Sequence, residues 1–271
     1  MTTWLLLGAT GRVGRMLRRH WAGAPPEGVH LVAQSRRAGE GCLEWDPLDP
    51  DPPVRADVVL AFAGVVPAPG ADLSLNVALG RGAVETARRI GARRVLLASS
   101  SAVYGPGRAV AETAPCRPVN AYGAAKLEME EAVAGAEVET VCLRIGNVAW
   151  ADSLLGGMAP GREVLLDRFT DGGGPMRSYI GPRELARVLE SLARAEAPLP
   201  PLLNVAAPEP VAMEALLEAA GAAWRWQEAP ASAVQWVTLD CARLAAVHRF
   251  TGGEGSAMAL IAEGEGVKDA P

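Results

Sequence analysis

Short apolar segments alternate with stretches of helical periodicity along most of this 271-residue chain. Two of the apolar segments, Asp57–Ala63 and Arg94–Ser99, are continuous runs, which are typical of strands buried on both faces of a parallel sheet. The predicted strands are Trp4–Leu7, Val29–Gln34, Cys42–Trp45, Asp57–Ala63, Arg94–Ser99, Glu139–Ile145, Glu163–Phe169, Leu202–Val205 and Gln235–Leu239. The predicted helices are Arg12–Trp21, Asn76–Ile90, Ala121–Val133, Pro182–Ala195 and Ala212–Ala223. Because strands that alternate with helices favour βαβ units, we predict an α/β fold with a doubly wound parallel sheet.

Composition and charge narrow the function classes. The chain has 26 basic and 31 acidic residues and a formal net charge of −5, so it lacks the basic footprint of a nucleic-acid-binding protein or of one attracted to an anionic membrane. No apolar run approaches the length of a bilayer span, and the N-terminal segment does not have the pattern of a signal peptide. Cys42, Cys116, Cys142 and Cys241 stand far apart and without metal-ligand spacing. We therefore predict a cytoplasmic protein with reduced thiols and no metal site.

A glycine-rich turn follows the first predicted strand and opens the first predicted helix. It consists of Gly8, Ala9, Thr10, Gly11, Arg12, Val13 and Gly14. In a first βα junction such glycines permit a tight turn and let backbone N–H groups approach a pyrophosphate, while the positive end of the helix faces the phosphates. This context favours a dinucleotide site over an ordinary strand-to-helix turn, and it makes the predicted fold Rossmann-like.

The end of the second predicted strand bears on the choice of cofactor. An acidic residue there would bind the ribose 2′-hydroxyl of NAD, whereas an arginine would accommodate the 2′-phosphate of NADP. This chain has Ser35, Arg36 and Arg37 at that place and no carboxylate, and Arg12 of the glycine turn is a second candidate for the same phosphate. We predict NADP(H) as the preferred cofactor. The alternative is NAD(H), in which case these arginines are solvated surface charges.

A tyrosine and a lysine, Tyr122 and Lys126, stand four residues apart in a predicted helix. This spacing places both side chains on one helix face. A phenol whose pKa is lowered by a neighbouring ammonium can exchange a proton with a carbonyl or alcohol oxygen while hydride moves to or from a nicotinamide. The serines Ser99–Ser101 stand at the end of a predicted buried strand, where ligands bind in a parallel sheet, and one of them can donate a hydrogen bond to the same oxygen. The glutamates of the helix are assigned to its solvent-exposed face: Glu128, Glu130 and Glu131.

The order of these motifs resembles the extended short-chain dehydrogenase/reductase superfamily, and within it the NAD(P)-dependent epimerase/dehydratase family. The resemblance extends to about Val205 and is carried by Gly8–Gly14, Asn76–Gly80, Ser99–Gly105, Asn120–Lys126, Leu143–Asn147 and Arg177–Ile180. It implies that Ser100, Tyr122 and Lys126 are catalytic, and that Tyr122 and Lys126 also contact the cofactor. It implies further cofactor contacts by Asp46, Ala61, Phe62, Ala63, Gly64 and Asn76. It implies substrate contacts by Ser101, Asn147 and Arg177.

The hydrophobic pattern loosens after Trp150, where glycine pairs and Pro-Gly steps become frequent. We therefore predict two domains. Residues 1–149 and 177–205 form the dinucleotide-binding domain, and residues 150–176 and 206–271 form a small substrate-binding lobe. The family resemblance also implies dimerisation through helices.

Departures from the family pattern narrow the substrate. Thirty positions separate Asn147 from Arg177, fewer than in typical nucleotide-sugar enzymes; Ser101 stands where sugar dehydratases place an acid, and Gly181 stands where a histidine is common. We therefore predict an NAD(P)-dependent oxidoreductase or epimerase, rather than a dehydratase, that acts by hydride transfer on a sugar-like or small carbonyl substrate. The alternatives are a nucleotide-sugar epimerase and a non-catalytic NADP-sensing module.

Overall fold

A computed structural model describes residues 1–39, 41–49, 51–159 and 161–266. Its strands are β1 (Thr2–Leu7), β2 (Val29–Ser35), β3 (Leu43–Glu44), β4 (Val58–Ala61), β5 (Arg94–Ser100), β6 (Gly107–Val110), β7 (Glu139–Ile145), β8 (Asn147–Val148), β9 (Val164–Arg168), β10 (Met176–Arg177), β11 (Tyr179–Ile180), β12 (Leu202–Val205), β13 (Val211–Ala212), β14 (Trp224–Glu228) and β15 (Trp236–Leu239). Its α-helices are α1 (Arg12–Gly23), α2 (Leu75–Ile90), α3 (Ala121–Val133), α4 (Pro182–Arg194), α5 (Met213–Ala219), α6 (Ala242–Ala245) and α7 (Ala257–Ala262).

The chain forms two compact units. The first unit comprises residues 1–105, 115–144 and 186–203, and the second comprises 106–114, 145–185 and the described residues from 204 onward. These bounds differ from the predicted domain bounds at 106–114, 145–149, 177–185 and 204–205. The differences have a structural cause, because β6 pairs with β15 and β8 pairs with β11, all within the second unit. The division into a dinucleotide-binding domain and a substrate lobe stays a prediction.

The first unit is built on a seven-stranded sheet with the order β12-β7-β5-β4-β1-β2-β3. The pairs β1–β2, β1–β4, β4–β5 and β2–β3 are parallel. From β1 the chain adds β2 and β3 on one side and β4, β5 and β7 on the other, so the strand order reverses between β1 and β4. This topology confirms the predicted Rossmann-like, doubly wound α/β fold, and it places a ligand crevice at the carboxyl ends of β1 and β4.

The sheet of the first unit is buried on the face that carries α2 and α3. Leu5 and Leu7 of β1 belong to one buried cluster with Val59 of β4, Ala83 of α2 and Met129 of α3. Alternate residues along each strand point to the same face, which explains why positions two apart share this cluster. The packing fixes α3 against the sheet and thereby sets where the side chains of its first turns lie.

The second unit contains small sheets that the periodicity did not predict in full. One has the order β13-β10-β15-β6, and the pairs β8–β11 and β9–β14 form two others. The predicted helix Ala212–Ala223 is too long, because α5 ends at Ala219 and β14 starts at Trp224. In the part of the chain that the structure describes, no helix combines the length and apolar character that a membrane span requires.

Candidate active site

The glycine turn lies between β1 and α1, at the carboxyl end of β1. Gly8 has a φ of +78°, and a Cβ at this position would lie 2.5 Å from the backbone nitrogen of Ala63. The N–H of Gly8 donates to Gln34 Oε1 at 3.1 Å, and the N–H of Gly11 donates to the Gly8 carbonyl at 3.0 Å. Because α1 begins at Arg12, directly after this turn, its N-terminal N–H groups and the positive end of its dipole lie next to the glycines.

A cavity of about 300 Å³ opens beside the glycine turn. The predicted cofactor residues that line it are Gly8, Thr10, Gly11, Ser35, Arg36, Asp46, Phe62, Ala63 and Gly64. The other predicted cofactor residues do not line it, namely Arg12, Val13, Gly14, Arg37, Ala61, Asn76, Tyr122 and Lys126. The lining also includes residues that the sequence analysis did not select: Gln34, Pro47, Leu48, Val65, Leu75 and Leu79.

The residues around this cavity fit a dinucleotide. A Cβ at Gly14 would overlap the Gly8 carbonyl, so the close turn that a pyrophosphate needs depends on glycine here. Gln34 is 1% exposed, and its side chain is used within the protein: the amide nitrogen donates to the Trp45 carbonyl while the oxygen accepts from Gly8. At the end of β2 the cavity is lined by the polar side chains of Gln34, Ser35 and Arg36. The Gln34 amide is bonded within the protein, so the other polar side chains at this place are those of Ser35 and Arg36.

Ser100 and Tyr122 meet at the carboxyl end of β5. Ser100 is the last residue of β5, and its hydroxyl accepts from the N–H of Ala102 at 3.2 Å. Asn120 caps α3 by accepting from the N–H of Gly123 at 2.8 Å, which fixes the start of the helix and places Tyr122 in its first turn. Burial raises the pKa of Tyr122, and the neighbouring Ser100 side chain acts in the opposite direction.

Lys126 lies one turn further along α3, beside the cofactor cavity. Its side chain is buried, and Nζ donates to the Ala98 carbonyl at 2.9 Å. A Cβ at Gly64 would lie 3.3 Å from this Nζ and 3.2 Å from Asn76 Oδ1, and Gly64 itself lines the cavity. Burial lowers the pKa of Lys126 to about 8, against opposing contributions from Cys142 and Glu130. The fold thus places a readily titrated amine next to the predicted cofactor site.

The predicted substrate residues lie in different parts of the chain. Ser101 is buried in a 3₁₀ turn after β5, where its carbonyl accepts from the N–H of Tyr104 at 3.1 Å. Asn147 belongs to the second unit, and its side chain lies near the hydroxyl of Tyr179. The Tyr179 hydroxyl donates to Asp152 Oδ2 at 2.5 Å.

Arg177, in β10, is used within the second unit. Its Nη1 donates to the carbonyls of Met176 at 2.8 Å and Gln235 at 2.7 Å, and its Nη2 donates to the Val234 carbonyl at 2.7 Å. Burial lowers the pKa of Arg177. These bonds tie β10 to the segment before β15 and occupy donors that a substrate phosphate would use. A substrate contact by Arg177 stays a prediction.

The assignment of Glu130 to the solvent face of α3 is wrong, although Glu128 and Glu131 are exposed as predicted. The Glu130 side chain is 4% exposed and pairs with Arg144. Glu130 is four residues after Lys126 and eight after Tyr122, so all three lie on nearly the same helix face. That spacing was the available signal that Glu130 points inward.

Comparisons with known proteins give a consistent pattern. A family model described as the NAD dependent epimerase/dehydratase family matches residues 4–150. A UDP-glucose 4-epimerase from Azospirillum brasilense is 36% identical over 110 residues, which cover 36% of this chain and 32% of that protein. The match therefore spans about a third of the length of this curated relative.

Solved structures resemble the whole chain. A short-chain dehydrogenase/reductase superfamily protein from Agrobacterium tumefaciens, with bound NAD, is 21% identical with a TM-score of 0.78, covering 98% of this chain and 97% of that chain. A UDP-glucuronic acid 4-epimerase from Bacillus cereus, in complex with UDP-glucuronic acid and NAD, is 16% identical with a TM-score of 0.76, covering 98% and 99%. At this level of identity the likeness establishes the shared fold.

Proposed function

Because the chain belongs to the NAD dependent epimerase/dehydratase family, we propose that it is an enzyme that moves hydride between a nicotinamide dinucleotide and a carbonyl or alcohol carbon of a sugar-like or small carbonyl substrate. Family membership confirms the resemblance inferred from the motifs. The observation that carries the proposal is the position of the Lys126 amine, beside Gly64 of the cofactor cavity and one turn along α3 from Tyr122. The comparisons give no support to the non-catalytic sensing module.

Each catalytic side chain has a distinct task in this proposal. A dinucleotide, when bound, supplies the hydride acceptor or donor. Tyr122 takes the proton from a substrate hydroxyl when its carbon is oxidised and returns a proton to the oxygen when the carbon is reduced. The Ser100 hydroxyl, which lies near Tyr122, donates to the same oxygen, and the Lys126 ammonium favours the phenolate form of Tyr122. The same residues serve a reductase and an epimerase, in which the oxidised carbon is reduced again from its other face.

We further propose that the cofactor is NADP(H). Ser35 and Arg36 line the cavity at the end of β2, where an acid would select the free ribose of NAD. We expect NADP⁺ at about 100 times its dissociation constant to add roughly 2.7 kcal/mol to the free energy of unfolding, and NAD⁺ at the same concentration to add less. Thermal unfolding with each dinucleotide measures the difference. The Arg36→Ala variant is expected to weaken NADP⁺ binding about 10–100-fold, because it loses a charge-assisted contact to the 2′-phosphate.

A matched control separates this contact from a general effect of charge. Arg55 is exposed and precedes the amino end of β4, whereas the cavity lies at the carboxyl ends of the strands. The Arg55→Ala variant is therefore expected to bind both dinucleotides as the unchanged protein does. Stabilisation by NAD⁺ alone would contradict the NADP assignment while leaving the dinucleotide site intact. Stabilisation by neither dinucleotide, in protein without nicotinamide absorbance, would contradict the dinucleotide site itself.

A nucleotide-sugar epimerase is the second candidate, and the comparisons favour it, since relatives with this activity match part of the sequence and the whole fold. It predicts that UDP-glucose and UDP bind the cofactor-loaded protein, and that Arg177→Ala weakens both. Isothermal titration calorimetry measures these affinities. The bonds from Arg177 to three carbonyls favour the opposite outcome, in which neither UDP ligand binds and the substrate carries no nucleotide.

A further inference from the structure

Glu130 joins the α3 helix face that carries Tyr122 and Lys126 to two strands of the sheet. Its Oε1 accepts from the Ser99 hydroxyl of β5 at 2.5 Å. Its two oxygens accept from Arg144 of β7, with distances of 3.1 Å from Nε and 2.7 Å from Nη2. The residue that follows Ser99 is the proposed catalytic Ser100, so the carboxylate holds β5 directly beside the reacting groups.

The ion pair is fully withdrawn from solvent. Both side chains are 4% exposed, and Arg144 Nη1 also donates to the Tyr104 hydroxyl at 2.8 Å. The Arg144 guanidinium lies 4.7 Å from the centre of the Tyr104 ring. A buried ion pair is a weak source of net stability compared with an apolar pair of the same volume. Its position next to Ser100 and Lys126 instead suits a role in fixing geometry or charge.

The groups around the Lys126 amine indicate whether the ion pair acts on the charge of this lysine. The groups that face its amine are the Ala98 carbonyl of β5, the Met129 sulfur of α3 at 3.9 Å, and Asn76 of α2, which shares the contact at Gly64. Cys142 of β7 also contributes to its electrostatic environment, but burial, followed by Glu130, raises the pKa of this thiol to about 12, so it is uncharged at neutral pH. Glu130, four residues further along α3, supplies the negative charge that acts on Lys126 and favours its protonated form.

We propose that Glu130 is a positioning residue for the Tyr122–Lys126 pair: its buried carboxylate, shared between Arg144 and Ser99, fixes α3 against β5 and keeps Lys126 protonated. The inference rests on the proposed function of Tyr122 and Lys126. It adds a specific requirement to that function, because a protonated Lys126 is the form that favours the Tyr122 phenolate.

The lysine content of the chain allows a direct test that needs no substrate. Lys126 and Lys268 are the only lysines in the sequence, so the chain of this sequence labelled with ¹³C-lysine gives two side-chain signals, and the Lys268→Arg variant assigns them. We expect the NMR titration midpoint of Lys126 to fall by roughly one pH unit in Glu130→Gln, because the nearby negative charge is lost. In Glu131→Gln, an exposed neighbour on the same helix, the midpoint is expected to stay unchanged.

A second variant keeps the test decisive if loss of the ion pair prevents Glu130→Gln from folding. The double variant Glu130→Gln with Arg144→Met removes both charges. Its Lys126 midpoint is expected to fall by less than in the single variant, because loss of the positive charge of Arg144 offsets part of the loss of the negative charge of Glu130. A midpoint equal to that of the unchanged protein in every folded Glu130 variant would overturn the proposal. The titration is independent of the catalytic assignment: if the midpoint falls but Tyr122→Phe retains full activity, the proposed function fails and the role of Glu130 as a counter-charge stands.

Discussion

Replacing Tyr122 by phenylalanine is expected to lower the rate of hydride transfer about 10²–10⁴-fold, the range for loss of a general acid–base group. The phenylalanine ring preserves the packing of the first turn of α3, and the change removes only the hydroxyl, which lies near Ser100. The rate is measured as the change in nicotinamide absorbance in single turnovers with a panel of sugars and small carbonyl compounds. Thermal stabilisation by the dinucleotide is expected to be retained, because the cofactor cavity is lined by other residues.

The exposed face of the same helix provides the control. Glu128→Gln changes a side chain that points to solvent and is expected to leave the rate unchanged. If Tyr122→Phe and the unchanged protein turn over the same substrate at equal rates, another group moves the proton and the assignment of Tyr122 is wrong. A variant that has lost both activity and dinucleotide stabilisation would instead indicate a damaged fold, and the double readout distinguishes the two cases.

The sequence predicted the central strands of the first unit well because β4 and β5 are buried on both faces. The predicted strand Arg94–Ser99 matches β5 to within one residue. A strand that is buried on both faces is apolar at most successive positions, so its extent can be read from the sequence. The second unit was harder to predict for the opposite reason. Strands β10 and β11 have two residues each, too few for any period, and their pairing partners are distant segments that only tertiary structure brings together.

In the candidate site, too, some residues could be predicted from the local sequence, whereas the roles of others depend on tertiary contacts. Ser100, Tyr122 and Lys126 were selected from spacing and motif order, and the structure brings Ser100 and Tyr122 close together. Glu130 was missed because a glutamate in a helix is ordinarily solvated. Its burial depends on Arg144, which comes from strand β7 and whose charge compensates it. The internal use of Gln34 was equally invisible, because both of its partners, Gly8 and Trp45, are fixed by the fold.

Gly8→Ala is expected to lower the free energy of unfolding by about 2–5 kcal/mol and to abolish stabilisation by the dinucleotide. Two costs add: a left-handed backbone is unfavourable for a residue with a Cβ, and the new methyl group is forced into a packed region. The φ of Gly8 is +78°, and the added carbon would lie 2.5 Å from Ala63 N and 2.6 Å from Ala63 Cα. Because the obstacle is the backbone of Phe62 and Ala63 directly after β4, it can only be relieved by moving a segment that lines the cavity. Urea unfolding with and without dinucleotide measures both effects.

Gly28 separates the two costs, because it shares the backbone conformation but not the contact. Its φ is +67°, and a Cβ there would have nothing within 4 Å, so Gly28→Ala is expected to lose only about 1–2 kcal/mol from the backbone term and to keep its response to the dinucleotide. Equal losses in the two variants would show that the segment after β4 moves away from the methyl group at no cost. In that case the close approach of Gly8 to Ala63 is not what shapes the site, and the requirement for glycine at this turn is conformational alone.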